Sequence, residues 1–153
     1  MSENILEIRN LTTAFLLNGK PIIVVENISF DIRKGEILGV VGESGSGKSV
    51  TAKTVMRLIP NPPGLVLGGQ ILYAKRDVLK MSEREMRHIR GNKISMIFQE
   101  PMTSLNPVYT CGSQIVEALT VHQNIPQKQA RQRAVEMLSL VGIPMPEERL
   151  KSY

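Results

Sequence analysis

An eight-residue segment rich in glycine constrains the fold of this chain more than any other feature. It follows an apolar run at 36–41 and precedes a helix-like stretch, Val50–Ile59. A strand, a glycine loop, a lysine, a hydroxyl and a helix in that order are typical of a cradle for phosphate groups. Glycines let successive N–H groups turn toward an anion, and the helix directs its positive end to the same place. The segment reads Gly42-Glu43-Ser44-Gly45-Ser46-Gly47-Lys48-Ser49.

Two side chains of this segment are candidates for chemistry. Lys48 would place a positive charge beside the terminal phosphates of a nucleotide, and the Ser49 hydroxyl would be a ligand for Mg²⁺. A flexible glycine-serine turn is the alternative interpretation. A dinucleotide-binding fingerprint is excluded, because the position of its third glycine is occupied by Val50. The predicted nucleotide contacts are Gly42, Glu43, Ser44, Gly45, Ser46, Gly47, Lys48, Ser49 and Val50.

Size and composition describe an ordinary globular chain. Its 153 residues are enough for one domain, and its 42% hydrophobic and 22% charged residues are typical of such proteins. With no run of 18 apolar residues, we expect no membrane span, and the polar N-terminus does not resemble a signal peptide. The single Cys111 excludes an internal disulfide and favours a reducing, cytosolic compartment.

Positive charge is concentrated between residues 75 and 93. A nucleic-acid surface would need aromatic side chains among these bases, and none occurs between Tyr73 and Phe98. A solvated helix face is the favoured interpretation, and a face toward an anionic membrane is the next. His88 and His122 have no partner at metal-ligand spacing. The basic residues are Lys75, Arg76, Lys80, Arg84, Arg87, Arg90 and Lys93, against Asp77, Glu83 and Glu85.

The order of predicted elements is strands first, then alternating helix and strand, then helices. Ile5–Arg9 reads as an edge-like strand, and Ser82 with Glu85 has the form of a capping box. The further predicted strands are 22–25, 28–32, a buried parallel strand at 36–41, 70–74 and 94–98. The predicted helices are 50–59, 83–91, 112–122 and 126–141. This order indicates an α/β nucleotide-binding core preceded by antiparallel strands.

Gln99 is a second candidate, because it ends the predicted strand at 94–98. Ligands of open α/β sheets gather at the carboxyl ends of strands, so the glycine loop and the Gln99 loop could converge on one nucleotide. A neutral amide could touch Mg²⁺ or orient a water without adding charge. A surface glutamine in a loop with two prolines is an equally open interpretation.

The sequence around Gln99 closely resembles the Q-loop of ABC-transporter ATPases. The long form at 102–107, Met-Thr-Ser-Leu-Asn-Pro, is similar to that of the oligopeptide, dipeptide and nickel importer branch. The glycine loop and the Asn27–Phe30 segment leading to Lys34–Glu36 resemble the same branch. The likeness runs from about Ile5 to Tyr153.

This resemblance implies a fold and a set of site residues. It implies an α/β fold, a P-loop NTPase (RecA-like) core with an N-terminal antiparallel β subdomain, in residues 1–110. The start of a helical subdomain that docks on a permease would occupy 111–153. Gly42–Ser49 would be the Walker A loop. Lys48 and Gln99 would serve catalysis, Gln99 with Ser49 would contact Mg²⁺, and Phe15 would stack on adenine unless it is an ordinary core phenylalanine.

The resemblance also implies a function and partners. An ATP-binding subunit with ATP and Mg²⁺ as cofactors would energise import of peptides or similar small solutes. It would lie peripherally at the cytoplasmic face of the membrane. Its partners would be a second ATP-binding subunit, transmembrane permease subunits and, indirectly, an extracytoplasmic solute-binding protein, with no nucleic acid.

Three motifs of that family are absent from this sequence: the Leu-Ser-Gly-Gly signature, the Walker B strand ending in Asp-Glu, and the switch histidine. The chain therefore resembles a truncated N-terminal half that could bind ATP but lacks the carboxylate that polarises water. The alternative is a non-catalytic nucleotide-binding fragment without transport function. We also expect apolar strands with unpaired edges, which would make the isolated chain poorly soluble or loosely folded.

Overall fold

A computed structural model describes residues 3–99, 104–123 and 125–153 of the chain. The described residues divide into two compact units, a first unit up to Met86 and a second unit from Arg87 to Tyr153. Each unit is described by itself. The predicted domains, 1–110 and 111–153, stay a prediction.

The first unit is built on an antiparallel sheet of four strands in the order β2-β1-β3-β4. A tight turn at Asn18-Gly19 joins β1 to β2, and both turn residues have positive φ, 51° and 75°. This is the left-handed pairing that suits the twist of a two-residue hairpin. The strands are β1 Asn4–Leu17, β2 Lys20–Arg33, β3 Gly64–Tyr73 and β4 Arg76–Asp77.

The position of β1 corrects one prediction. The segment predicted as an edge-like strand, Ile5–Arg9, belongs to a strand that pairs with β2 on one side and β3 on the other. Its Ile8 and Leu11 side chains are buried, as is Ile71 of β3. Alternation along the strand shows that one face is buried, but it carries no information on the number of neighbouring strands.

The predicted break at Glu26-Asn27 is a β-bulge inside the continuous strand β2. Asn27 has φ 48°, and Asn10 of β1, which lies beside it, has φ 49°. Asparagine tolerates this left-handed conformation better than most residues, because its short side chain can bond locally. Gly69 of β3, with φ 94°, lies against the same line of irregular pairing.

Helix α1, Lys48–Val55, follows the glycine loop and ends four residues before the predicted Ile59. Arg57 adopts φ 51°, and its N–H donates to the carbonyl of Thr54, while Leu58 N–H donates to Lys53. These two bonds form a Schellman motif, which closes the helix with a left-handed residue. Arg57 therefore occupies the left-handed position that is usually glycine. Because arginine gives no sequence signal for this motif, the end of the helix at Val55 was not predicted.

The capping box predicted at Ser82 and Glu85 is confirmed. A short 3₁₀ turn, Val78–Lys80, precedes helix α2, Glu83–Ile89. The Ser82 N–H and hydroxyl both donate to a Glu85 carboxylate oxygen at 2.8 Å, and Glu85 N–H donates back to Ser82 at 3.3 Å. Two amides at the helix N-terminus are satisfied in this way.

Two predicted strands do not form. Residues 36–41 and 95–98 have no strand assignment, and Ile94 makes only an isolated bridge with Arg90. Ile37 is 98% exposed, Val41 94% and Ile97 99%. A strand exists only where a neighbour accepts and donates its ladder bonds, and the described residues supply no neighbour for either segment. The predicted strands at 36–41 and 94–98, and the predicted burial of the first, are therefore wrong for this structure.

The second unit is mainly helical, and the helices predicted at 112–122 and 126–141 are confirmed to within one residue at each end, whereas the helix predicted at 83–91 ends at Ile89. Its helices are α3 Cys111–His122, α4 Gln127–Leu140 and α5 Pro146–Arg149. Ala130 and Ala134 of α4 are fully buried, and Gly142 follows the helix with φ 78°. Pro126 directly precedes α4, so it occupies the N-cap position rather than the predicted first helical position.

Candidate nucleotide-binding site

The backbone of the glycine loop has the conformation that a phosphate cradle requires. Between residues 44 and 48, φ is positive only at Gly45, 84°, and at Gly47, 90°. Alternation between left-handed and right-handed residues turns successive N–H groups to the same side of the chain, which forms a concave anion site. The backbone of the first unit agrees with the predicted cradle, and its role in binding phosphate stays a prediction.

The Lys48 ammonium group lies over this concavity. Its Nζ donates to the carbonyl oxygens of Gly42 and Glu43, both at 2.7 Å, and to the Ser46 hydroxyl at 3.2 Å. These three acceptors fix a positive charge at the mouth of the loop. A phosphate entering the loop would meet that charge together with the backbone amides.

The start of α1 adds to the positive potential. Gly47 is the N-cap and offers no side-chain acceptor, and the first turn contains no acidic residue. The first amides of a helix have no acceptor within the helix, and the helix dipole favours an anion there. An anion is therefore the expected partner of this helix end.

Gly47 seats the loop on strand β2. It is buried, and a Cβ atom at this position would lie 2.7 Å from the Val24 carbonyl oxygen and 2.9 Å from Val25 Cγ2. At Gly42, a Cβ atom would lie 2.8 Å from the Ser46 hydroxyl. Close approach to the backbone requires glycine at Gly47, whereas a side chain at Gly42 would require only the Ser46 hydroxyl to move. Sequence reasoning missed Val24 and Val25 as supports, since an apolar strand segment carries no sign of what it touches.

Ser49 is exposed in the first turn of α1, where its hydroxyl fits the role of a Mg²⁺ ligand. Across the described ranges, no group of three or more His, Cys, Asp or Glu side chains could hold a metal ion. Mg²⁺ is often held by few protein groups together with nucleotide phosphates and water. A metal of that kind would arrive with the nucleotide, and the role of Ser49 as its ligand stays a prediction.

The remaining predicted site residues lie apart from the loop sequence. Phe15 is half-buried on β1, opposite Ile22 and Gly64 on the neighbouring strands. It belongs to the same unit as the loop, and stacking on adenine stays a prediction. Gln99 is exposed and belongs to the second unit. Positions 100–103 of the Q-loop string lie outside the described residues, so the role of Gln99 also stays a prediction.

Comparison with known proteins decides the family. A family profile described as ABC transporter matches residues 25–153, which include the whole glycine loop and the Gln99 segment. The chain belongs to the ABC transporter family. The predicted assignment from the loop and the Gln99 string is confirmed.

Relatives of this ABC transporter chain include named peptide-transport proteins. It is 48% identical over 149 residues to the oligopeptide transport ATP-binding protein OppD of Bacillus subtilis, covering 97% of this chain and 42% of OppD. It is 49% identical over 151 residues to the dipeptide transport ATP-binding protein DppD of the same organism, covering 99% and 45%. The chain thus spans less than half the length of these relatives.

Solved structures confirm the fold class. The chain superposes with a TM-score of 0.80 on a dimeric ATP-binding cassette in a post-hydrolysis state bound to ADP and Pi. The sequences are 22% identical, and the match covers 96% of this chain and 60% of the cassette.

In the part of the chain that the structure describes, no helix is both long enough and apolar enough to cross a membrane.

Proposed function

We propose that this chain binds the triphosphate of ATP in the loop Gly42–Ser49. The observation that carries the proposal is the fixed position of Lys48 Nζ over a loop whose φ alternates in sign at Gly45 and Gly47. Together with the uncapped start of α1, this charge gives the loop a positive potential that favours an anion. Ser49 would add a Mg²⁺ ligand, so the bound species would be Mg·ATP.

We also propose that the bound ATP serves import of peptides or similar small solutes. The names of OppD and DppD support this class of solute. The chain would act as the nucleotide-binding part of an importer at the cytoplasmic face of the membrane. There it would work with permease subunits, a second ATP-binding subunit and, indirectly, an extracytoplasmic solute-binding protein.

A test of the nucleotide site compares two lysines of the same helix. Lys48→Ala removes the ammonium over the loop, whereas Lys53→Ala removes an exposed lysine from the last turn of α1. We expect the dissociation constant of a fluorescent ATP analogue to rise at least about tenfold for Lys48→Ala, the loss of one charge-assisted hydrogen bond. Fluorescence titration with Mg²⁺ present measures this constant.

The control defines the outcome. Lys53→Ala changes net charge by the same amount and is expected to bind as the wild type does. Equal affinity of Lys48→Ala and the wild type would show that the loop is not the nucleotide site. In a second titration, Ser49→Ala should lose the Mg²⁺ dependence of binding, and Ser49→Thr should keep it.

A further inference from the structure

The position of the glycine loop, Gly42–Ser49, which we call the phosphate loop from here on, depends on a short and irregular part of strand β2. Gly47 packs on the Val24 carbonyl and on the Val25 side chain. In the pairing of β1 with β2, Thr13 lies opposite Val25 and the next pair is Ala14 with Ile23. Val24 is therefore an extra residue in β2, and its backbone is outside the regular ladder.

A second irregularity lies on the other side of Val25. The register passes from Leu11 opposite Ile28 to Thr13 opposite Val25, which leaves two residues on β2 against one on β1. The pair of Thr13 and Val25 is thus flanked by bulges, and regular pairing cannot by itself fix the segment that supports Gly47.

Side chains take over the cross-strand bonding at this place. The Asn10 amide Nδ2 donates to Asn27 Oδ1 at 3.0 Å, joining the left-handed residues of the two strands. The Asn27 N–H donates to the Thr12 hydroxyl at 3.1 Å, and the Asn10 N–H donates to the Ser29 hydroxyl at 2.8 Å. These bonds satisfy amides that the bulges remove from the ladder.

Strand β3 contacts the bulge of β1 from the side opposite β2. A Cβ atom at Gly69 of β3 would lie 2.6 Å from the carbonyl oxygens of Arg9 and Asn10 and from Leu11 Cα. The bulge of β1 is therefore held between Asn27 and Gly69. We call the four polar residues Asn10, Thr12, Asn27 and Ser29 the bulge cross-link.

We propose that Asn10 and Asn27, through the bulge cross-link, are positioning residues for the phosphate loop. This inference rests on the proposed nucleotide-binding function. The cross-link fixes β2 at residue 27, β2 places Val24 and Val25, and these two residues support Gly47 at the start of α1. Loss of the cross-link would let the seat of Gly47 shift and would spoil the geometry of the loop amides without touching any of them.

Substitutions can separate the backbone conformation from the side-chain bond. Asn27→Ala removes the acceptor and Asn10→Ala removes the donor, and both also strain a left-handed backbone, whereas Asn27→Gly and Asn10→Gly remove only the side-chain bond. Asn18→Ala is the matched control, because Asn18 is also left-handed, in the same hairpin, at the turn. Thermal unfolding and titration with a fluorescent ATP analogue are measured for each variant in the full chain.

We expect Asn27→Ala and Asn10→Ala to raise the dissociation constant about three- to tenfold, the range typical of couplings through packed neighbours. Asn27→Gly should lie between them and the wild type. The double variant Asn10→Gly/Asn27→Gly should raise the dissociation constant no more than the larger of the two single glycine variants does, since both remove the same bond. Asn18→Ala should lower the unfolding temperature and leave the dissociation constant unchanged.

Two results would overturn the inference alone: cross-link variants that bind as the wild type does while Lys48→Ala does not, or Asn18→Ala weakening binding as much as Asn27→Ala. If Lys48→Ala also binds normally, the proposed nucleotide site is wrong and the inference falls with it. Should Asn27→Ala fail to fold, Asn27→Gly and Asn10→Ala decide by the same criterion.

Discussion

At the scale of single residues, Gly45 and Gly47 both have positive φ, but they differ in the space around them. Both are left-handed, but the space beside Gly45 is open, whereas a Cβ at Gly47 would meet β2 at 2.7 Å. We expect Gly47→Ala to lower the free energy of unfolding by about 1–3 kcal/mol more than Gly45→Ala does, the cost of overpacking. Urea unfolding of both variants measures the difference. Equal losses would mean that strain in φ, and not contact with β2, explains the glycine.

Glu85 is a residue whose charge state is set by its neighbours. The Ser82 N–H and hydroxyl, followed by the Arg76 guanidinium, lower the pKa of Glu85 from 4.5 to about 2. A lowered pKa stabilises the fold above the pKa of the unfolded chain, and this stabilisation is lost as pH falls from about 4.5 toward 2. We expect the stability difference between wild type and Glu85→Gln to shrink across that window.

The measurement is urea unfolding at several pH values for wild type, Glu85→Gln and a control, Glu117→Gln on the exposed face of α3. Because Glu85 lies at the surface, the effect is expected to decrease with added salt as well. A difference that stays constant from pH 5 to about pH 2 would contradict the assigned hydrogen bonds.

At the scale of elements, the start of α3 is held by the last residues of the chain. Cys111 N–H donates to the Ser152 carbonyl at 2.8 Å, and Gly112 N–H donates to the Leu150 carbonyl at 3.0 Å. Thr110 caps the same helix end by accepting from Ser113 at 3.3 Å. The amides of α3 that lack acceptors within the helix are thus satisfied by a distant segment.

Gly112→Ala tests this connection. A Cβ at Gly112 would lie 2.5 Å from the Leu150 carbonyl oxygen, so the segment 150–152 must move away. We expect a loss of about 1–3 kcal/mol in the stability of the second unit. Hydrogen exchange of the Cys111 and Gly112 amides should become faster. Gly39→Ala, where a Cβ would meet nothing within 4 Å, is the control. Unchanged exchange would contradict the connection.

At the scale of the whole molecule, the two apolar segments that form no strand are the main feature. Ile37 and Ile97 are almost fully exposed, and each lies in a run with strong strand propensity. Exposed runs of this kind pair with other chains, so we expect self-association that rises with protein concentration. We expect Ile37→Lys and Ile97→Lys to reduce it.

Sedimentation velocity over a range of concentrations measures this association. Leu140→Lys, which changes an exposed leucine on α4, is the control and should have a smaller effect, because a helix offers no unpaired ladder groups. A wild-type chain that stays monomeric and unfolds in one sharp cooperative transition would contradict the prediction.

Local patterns were sufficient for much of the chain. The capping box at Ser82 and the helices α3 and α4 were predicted from sequence. Each depends on contacts within a few residues. The family followed from two strings, the glycine loop and the residues around Gln99, and the family profile confirmed it.

The tertiary structure decided what depends on distant neighbours. An apolar run such as 36–41 favours a buried strand, but it joins a sheet only if another strand pairs with it. None of the described residues pairs with this run. The central position of β1, the paired bulges at Asn10 and Asn27, and the seat of Gly47 on Val24 arise between residues far apart in sequence. The sequence by itself determined the family and the local conformation of the glycine loop, because glycine sets the backbone locally. Only the tertiary structure decided what supports that loop, because support is a contact between strands and a pattern along one strand does not record it.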